Sequence, residues 1–282
     1  MRIDERERAL EATIPVRGRN PRTVRVAAGR RGRAAIWVAG RRPGAREAAS
    51  IVATVRHVLR LDDDLSPFYA TAREDPDLAW AATGAGRLIR SPYVFDDVVK
   101  TICTTNCTWS ATERMVAALV EHLGERTPDA PPTGTVGRAF PTPEAMAAAD
   151  ERFYREVVRA GYRGAYMRAL ATSVAEGTVD LEALADDDLP DTEVTARLLA
   201  LPGVGPYAAA HVMMLLGRYS LLVLDSWTRP TYARLVGRKS VKDAAIERRF
   251  RRYGRYAGLA FWLFLTRDWV DERPVPVTLE AS

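Results

Sequence analysis

The chain has 282 residues, 47% of them apolar, enough to bury a real core and intermediate between one large domain and two ordinary ones. No stretch approaches the roughly 20 uninterrupted apolar residues of a membrane span, and charges stand where a signal peptide carries its apolar segment. The expectation is therefore a soluble, cytoplasmic monomer. The net charge of +5 is uneven: residues 1–60 hold 15 Arg and no Lys against 5 acids, residues 197–273 hold 14 basic against 6 acidic side chains, and the middle is acidic. Two such regions either suit a polyanion, whose condensed counterions they displace, or form an ordinary solvated arginine-rich surface.

β-Branched and apolar residues alternate or cluster over 13–16, 22–28 and 34–39, with glycines between, which predicts a short antiparallel sheet turning at the Arg-Arg-Gly-Arg of 30–33. From Ala45 the period becomes helical, and Ser66-Pro67 opens another helix after the acidic run Asp62 to Asp64. The predicted class is α+β, predominantly α, with a β-rich element over 1–58 packed on a multi-helix body over 59–282.

Val94, Val98, Ile102, Met115, Val116, Leu119 and Leu123 recur at helical intervals, interrupted by a polar patch from Thr104 to Thr108 that ends one helix or lines a cleft. Cys103 and Cys107 stand four apart within a predicted helix, so both thiols lie on one face. They are too few for a closed zinc or iron–sulfur site and ill placed for a disulfide. Five prolines and two glycines over 127–143 mark an exposed loop. Further helices are predicted near 143–149, 151–160, 164–176, 192–200, 206–217, 227–236, 243–249 and 254–268.

The most informative stretch is Leu201-Pro202-Gly203-Val204-Gly205-Pro206-Tyr207. A helix ends before it, the two glycines permit a tight turn, and Pro206 suits the first position of a new helix. Backbone N–H groups left uncovered at that helix N-terminus attract a phosphate, although the same pattern also serves as a plain turn between packed helices. Four apolar residues, Leu221 to Leu224, then lead to Asp225. Spacing alone leaves this carboxylate either as the cap of the following helix or as an anion at the edge of a dry cleft, where it stabilises a developing cation.

With hairpin and aspartate on the page, the chain resembles the helix-hairpin-helix (HhH-GPD) DNA glycosylase superfamily, over roughly residues 85–270. It is most similar to the 8-oxoguanine DNA glycosylase and 3-methyladenine glycosylase II groups. The resemblance implies that Asp225 is the catalytic carboxylate and that Gly203, Val204 and Gly205 grip duplex DNA containing a damaged base. It also implies that the backbone carbonyls of Leu199, Leu201 and Val204 hold a monovalent cation, Na+ or K+, bridging to phosphate. Ile102-Cys103-Thr104-Thr105-Asn106 resembles the segment whose asparagine fills the gap left by the flipped nucleotide. Gly161-Tyr162-Arg163 resembles a wedge in which Tyr162 stacks beside the lesion and Arg163 touches the opposite base. Tyr253 to Gly258 resembles the start of the final pocket helix.

Departures from the pattern narrow the expectation. Bifunctional members carry a lysine where this chain has Tyr207, and a phenol forms no Schiff base. Lys100, Lys239 and Lys242 are the chain's only lysines, which predicts base excision without AP-lyase activity. Two cysteines exclude the four-cysteine iron–sulfur branch, and no cofactor beyond the cation is required. Positions that read the opposite cytosine and the oxidised base align with Ala111 and Phe261. The pocket is then predicted from Tyr207, His211, Trp227, Phe261 and Leu265, with Asp268 at its rim. Such an aromatic pocket favours an electron-poor or cationic base, so a monofunctional glycosylase for alkylated purines in base excision repair is expected. The alternatives are an 8-oxoguanine-type enzyme with an altered pocket and a non-catalytic hairpin DNA-binding protein.

Overall fold

A computed structural model describes residues 1–16, 18–30 and 33–271. Strands β1 (Arg2–Asp4), β2 (Ala9–Val16), β3 (Arg19–Ala28) and β4 (Ala34–Val38) form, among these residues, a four-stranded antiparallel meander in chain order. β1, with one apolar residue, left no alternation to read. The register sets Leu10 opposite Val26 and Ala12 opposite Val24, so one pleat face presents Leu10, Ala12, Ile14, Val16, Val24 and Val26. These pack on Ile51, Val55 and Val58, one stripe of helix α1 (Ala45–Val58). Gly29 N–H donates to the Arg33 carbonyl at 2.7 Å between β3 and β4; residues 31 and 32 of the turn expected there lie outside the described residues. Part of the N-terminal arginine excess is structural: Arg22 is buried and donates to Glu47 at 2.6 Å, and Arg41 donates to the same carboxylate at 2.9 Å.

The remaining helices are α2 (Ser66–Arg73), α3 (Val94–Thr104), α4 (Trp109–Leu123), α5 (Pro143–Ala148), α6 (Arg163–Ala175), α7 (Asp191–Leu199), α8 (Pro206–Leu216), α9 (Thr228–Leu235), α10 (Asp243–Phe250), α11 (Ala257–Thr266) and α12 (Asp268–Asp271). The helix expected over 151–160 is a π-helical turn at Phe153–Val157. The one expected over 254–268 is divided: Gly254, at φ 53°, lies in a 3-10 segment, Arg251–Tyr256, that precedes α11 and α12.

The chain forms two compact units, one of residues 1–62 and 89–208, the other of residues 63–88 and those from 209 on. In the second unit the 63–88 excursion is tied to the C-terminal helices. Phe68 packs on Tyr253 and Tyr256, the Tyr253 hydroxyl donates to Asp75 at 2.7 Å, and Arg267 donates to Asp77 at 3.1 Å.

In the first unit α3 begins in a buried charged cluster. Glu182 caps it by accepting from Val94 N at 2.9 Å and Phe95 N at 3.3 Å. Asp97 accepts from Ser91 N at 3.0 Å, and Lys100 donates to the Ser91 hydroxyl at 2.7 Å. Acids in a first turn suit the helix dipole, but Asp96 is also buried, and that burial pushes its carboxyl up to about 7 despite nearby Lys100. Because the folded state holds this proton to higher pH than the unfolded chain, Asp96 contributes stability at low pH that is lost as pH rises through about 7. Asp96→Asn should therefore gain stability over the natural chain at pH 8, with the difference shrinking toward pH 5. Urea unfolding of both proteins across that range checks it, and a difference that does not vary with pH refutes the buried-carboxyl assignment.

Candidate functional site

The hairpin lies in the first unit. α7 ends at Leu199, Val204 N–H donates to the Leu201 carbonyl at 3.2 Å, and Pro206 opens α8. Leu201 and Val204 are buried and anchor the turn, while Gly205 is exposed. Gly203 is required twice over: its φ is +79°, and a Cβ there would lie 2.9 Å from Tyr166 of α6. Tyr166 in turn meets Tyr162 edge-on, ring centroids 6.0 Å apart, so the hairpin and the expected wedge adjoin. The carbonyls of Leu199, Leu201 and Val204 are neutral oxygens on a sharp turn, and Leu201 O retains a lone pair after accepting from Val204. Such a donor set fits a monovalent cation.

The break between α3 and α4 falls within the expected polar patch. Cys103 ends up inside α3, buried, with burial pushing its thiol up to about 12. Cys107 lies past the break and donates from Sγ to the Cys103 carbonyl at 3.0 Å, so the two do not share a helix face as the four-residue spacing suggested. Asn106 sits in the break at φ 47°, exposed, and its amide donates to the Tyr162 phenol oxygen at 3.2 Å. That bond, with one from Thr105, holds the phenol below its ordinary pKa.

Arg163 departs from its expected place at the opposite base. It is only 7% exposed. Its Nε donates to Thr105 O at 2.9 Å and Thr105 Oγ1 at 3.2 Å, and its NH1 to Ala160 O at 3.3 Å. Its NH2 donates to Asn106 O at 3.0 Å and also to Thr105 O. The guanidinium is thus committed to the loop that carries Asn106. Tyr207, half-buried at the start of α8, donates its hydroxyl to Thr104 Oγ1 at 3.3 Å, at the end of α3.

The carboxylate lies in the second unit. Leu221 to Leu224 form neither helix nor strand, and Gly258 of α11 is pressed against the start of this segment: its N–H donates to Tyr219 O at 2.7 Å, and a Cβ there would collide with Leu221 O. Asp225 Oδ1 accepts from Trp227 N at 2.8 Å and Thr228 N at 2.6 Å, while Asp225 N donates to Thr228 Oγ1 at 2.8 Å. The carboxylate therefore caps α9, and Oδ2 carries no hydrogen bond among the described residues. Asp225 itself is half-buried.

Two residues on, Trp227 joins Trp262 at 5.8 Å and Trp269 at 5.9 Å between ring centroids, and His211 meets Trp262 edge-on at 6.3 Å. Burial holds the His211 imidazole below its ordinary pKa, against the pull of Asp225.

The expected pocket is corrected at the final helix. Phe261 is buried between Phe250 and Tyr232, at 5.3 and 6.1 Å, and Leu265 is buried with the core. Every residue of α11 except Trp262 is buried, so the side chain one position on, turned by about 100°, is the one that reaches the aromatic cluster. Asp268 is exposed, 3.7 Å from Arg267. Sequence reasoning missed Trp262, Trp269 and Tyr166. The signal available was the seven-residue spacing of the two tryptophans, two helical turns.

No family model and no curated protein matches the chain. Solved structures do. A 3-methyladenine DNA glycosylase from Archaeoglobus fulgidus superposes with a TM-score of 0.70 at 21% identity, covering 95% of this chain and 89% of that one. The Clostridium acetobutylicum 8-oxoguanine glycosylase/lyase superposes with a TM-score of 0.68, also at 21% identity, covering 89% of this chain and 86% of that one. The chain has the fold of a DNA glycosylase. Its small N-terminal antiparallel sheet and helical body match that fold.

Arg163→Met should detach the Thr105–Asn106 loop, because no other cation is bonded to those carbonyls among the described residues. A hydrogen bond to a charged group contributes about 1.5–3 kcal/mol, so a loss of that order is expected in chemical unfolding. Amide exchange at residues 105–107 should accelerate with it. Unchanged protection of those amides would show that Arg163 is not the clamp.

Proposed function

We propose that the chain belongs to the helix-hairpin-helix DNA glycosylases and hydrolyses the N-glycosidic bond of a damaged purine in duplex DNA, an alkylated base above all, without a lyase step. The observation that carries this is Asp225, anchored through one carboxylate oxygen while the other bears no hydrogen bond among the described residues, two residues from a partly exposed cluster of three tryptophans.

In this mechanism the lesion leaves the stack, at a cost lowest for a damaged base. Asn106 and Tyr162 occupy the vacated space, held by the Arg163 clamp. The N-terminal amides of the hairpin grip a phosphate, and the carbonyls of Leu199, Leu201 and Val204 would hold a monovalent cation, which would supply positive charge beside it. The indoles of Trp227, Trp262 and Trp269 attract a positively charged base, Trp being the strongest of the aromatic partners for a cation.

The bond between C1′ and the base nitrogen breaks with its electron pair going to the base, so an alkylated, cationic purine departs neutral and needs no acid. The Oδ2 charge of Asp225 stabilises the cationic sugar, and water adds to C1′ with its proton passing to that carboxylate. Tyr207 has no amine to form an imine, so the product is an intact abasic site.

Asp225→Asn should keep binding within a few-fold and slow base release by on the order of 100-fold or more. Single-turnover assays on duplexes carrying alkylated and oxidised purines, each followed by alkali, test the chemistry and the preferred base together. Near-normal turnover by the variant removes Asp225 from the mechanism. Borohydride should trap negligible protein on DNA, and efficient trapping at the rate of base loss overturns the hydrolytic assignment.

A further inference from the structure

We propose that Trp109 stacks on the base left unpaired when the lesion leaves the duplex, and that the protein consequently accepts any of the four bases at that position. The inference rests on the glycosylase reading above and adds to it a contact on the opposite strand.

Trp109 is 70% exposed, and among the described residues no large apolar side chain is more so. A lone exposed apolar residue needs no explanation, but this one has a particular setting. It opens α4, three residues after Asn106, on the far side of the loop that Arg163 clamps. Three residues span at most about 10 Å, which is about three base steps at roughly 3.4 Å each. Its backbone is fixed: Thr108 caps α4 by accepting from Ala111 N at 3.3 Å, and the Thr108 and Ser110 hydroxyls are bonded at 3.1 Å. The indole therefore projects from a rigid helix start beside the expected gap-filling residue.

The arginine nearest the loop, Arg163, donates to Thr105, Asn106 and Ala160 and is buried. Beside Trp109 the first turn of α4 carries the short side chains Ser110 and Ala111 and the buried Thr112, with Glu113 and Arg114 exposed after it, while Tyr162 and Tyr166 add further exposed rings. A surface of rings recognises bases by their π-faces, which all four share, so affinity arises without selection of the base.

The test uses the full chain and a duplex with a stable abasic analogue, so that no chemistry intervenes. 2-Aminopurine is placed either opposite the analogue or one pair away. The natural chain should quench the opposite probe, whereas Trp109→Ala should leave it bright and bind roughly 10-fold more weakly, with an unchanged melting temperature. Trp109→Phe should recover part of the quench. Affinity of the natural chain should vary little when A, C, G or T stands opposite.

Equal quenching by Trp109→Ala, or an effect confined to the displaced probe, overturns the contact. A strong preference for one opposite base overturns the tolerance. Loss of quenching in Trp109→Ala together with no base release from any lesion would sustain the contact while rejecting the glycosylase reading.

Discussion

The reciprocal bonding of Asp225 and Thr228 sets what this carboxylate can do. An acid at a helix N-terminus is favoured by the dipole and satisfies N–H groups that would otherwise lack partners, a contribution of about 1 kcal/mol. Here the cap takes up only Oδ1, through the N–H groups of Trp227 and Thr228. A carboxylate has about four lone-pair sites, so capping and charge stabilisation do not compete; the cap fixes the orientation of the oxygen that remains. The segment before it is fixed as firmly, because Gly258 lets the start of α11 meet the backbone of Tyr219 and Leu221 without a side chain between. A charge held this way needs no reorganisation when a cation develops near it, which is the condition under which a fixed anion accelerates a reaction.

Arg163 solves a different problem with the same economy of groups. A buried guanidinium must find acceptors for its donors, and here they are carbonyls and a hydroxyl of the loop and of Ala160, with the Tyr162 ring 4.6 Å from the charge. Those carbonyls can face the arginine only if the chain turns sharply at Asn106, whose φ of 47° is uncommon outside glycine. Asparagine tolerates that region better than most residues. The charge thus holds the loop in the conformation that leaves the asparagine amide exposed and bonded to Tyr162.

What could be read from the sequence was mostly what is local. The hairpin follows from Gly203 and Gly205, which permit a tight turn, and from Pro206, which fixes its own φ, and the cap at Asp225 follows from the residue types around it. The sheet's inner face was visible in part, over 13–16 and 22–28, while the first half of β2, with Leu10 and Ala12, was not read as strand. The direction of Arg163 was not visible, because its acceptors on the Thr105–Asn106 loop stand more than fifty positions away and a basic residue near a wedge reads equally well as pointing out. Cys107 misled for a related reason: a four-residue interval implies one face only while the helix lasts, and the loop around Asn106 ends it.

The exchange of Phe261 for Trp262 shows how far such reasoning reaches. α11 reads Ala-Gly-Leu-Ala-Phe-Trp-Leu-Phe-Leu-Thr and is apolar all round, so it has no polar stripe from which to set its rotation, and a helix of that kind is phased by what packs on it. The aromatic ring of Tyr232 and the ring of Phe250 supply that phase by enclosing Phe261. The consequence is chemical as well as geometric. A phenyl group enters the core and an indole, with the larger and more electron-rich face, enters the cluster near Asp225. On the proposed function this strengthens the case for a cationic base over a neutral oxidised one, because the attraction of a ring for a cation grows in that order while ordinary apolar burial is indifferent to the charge.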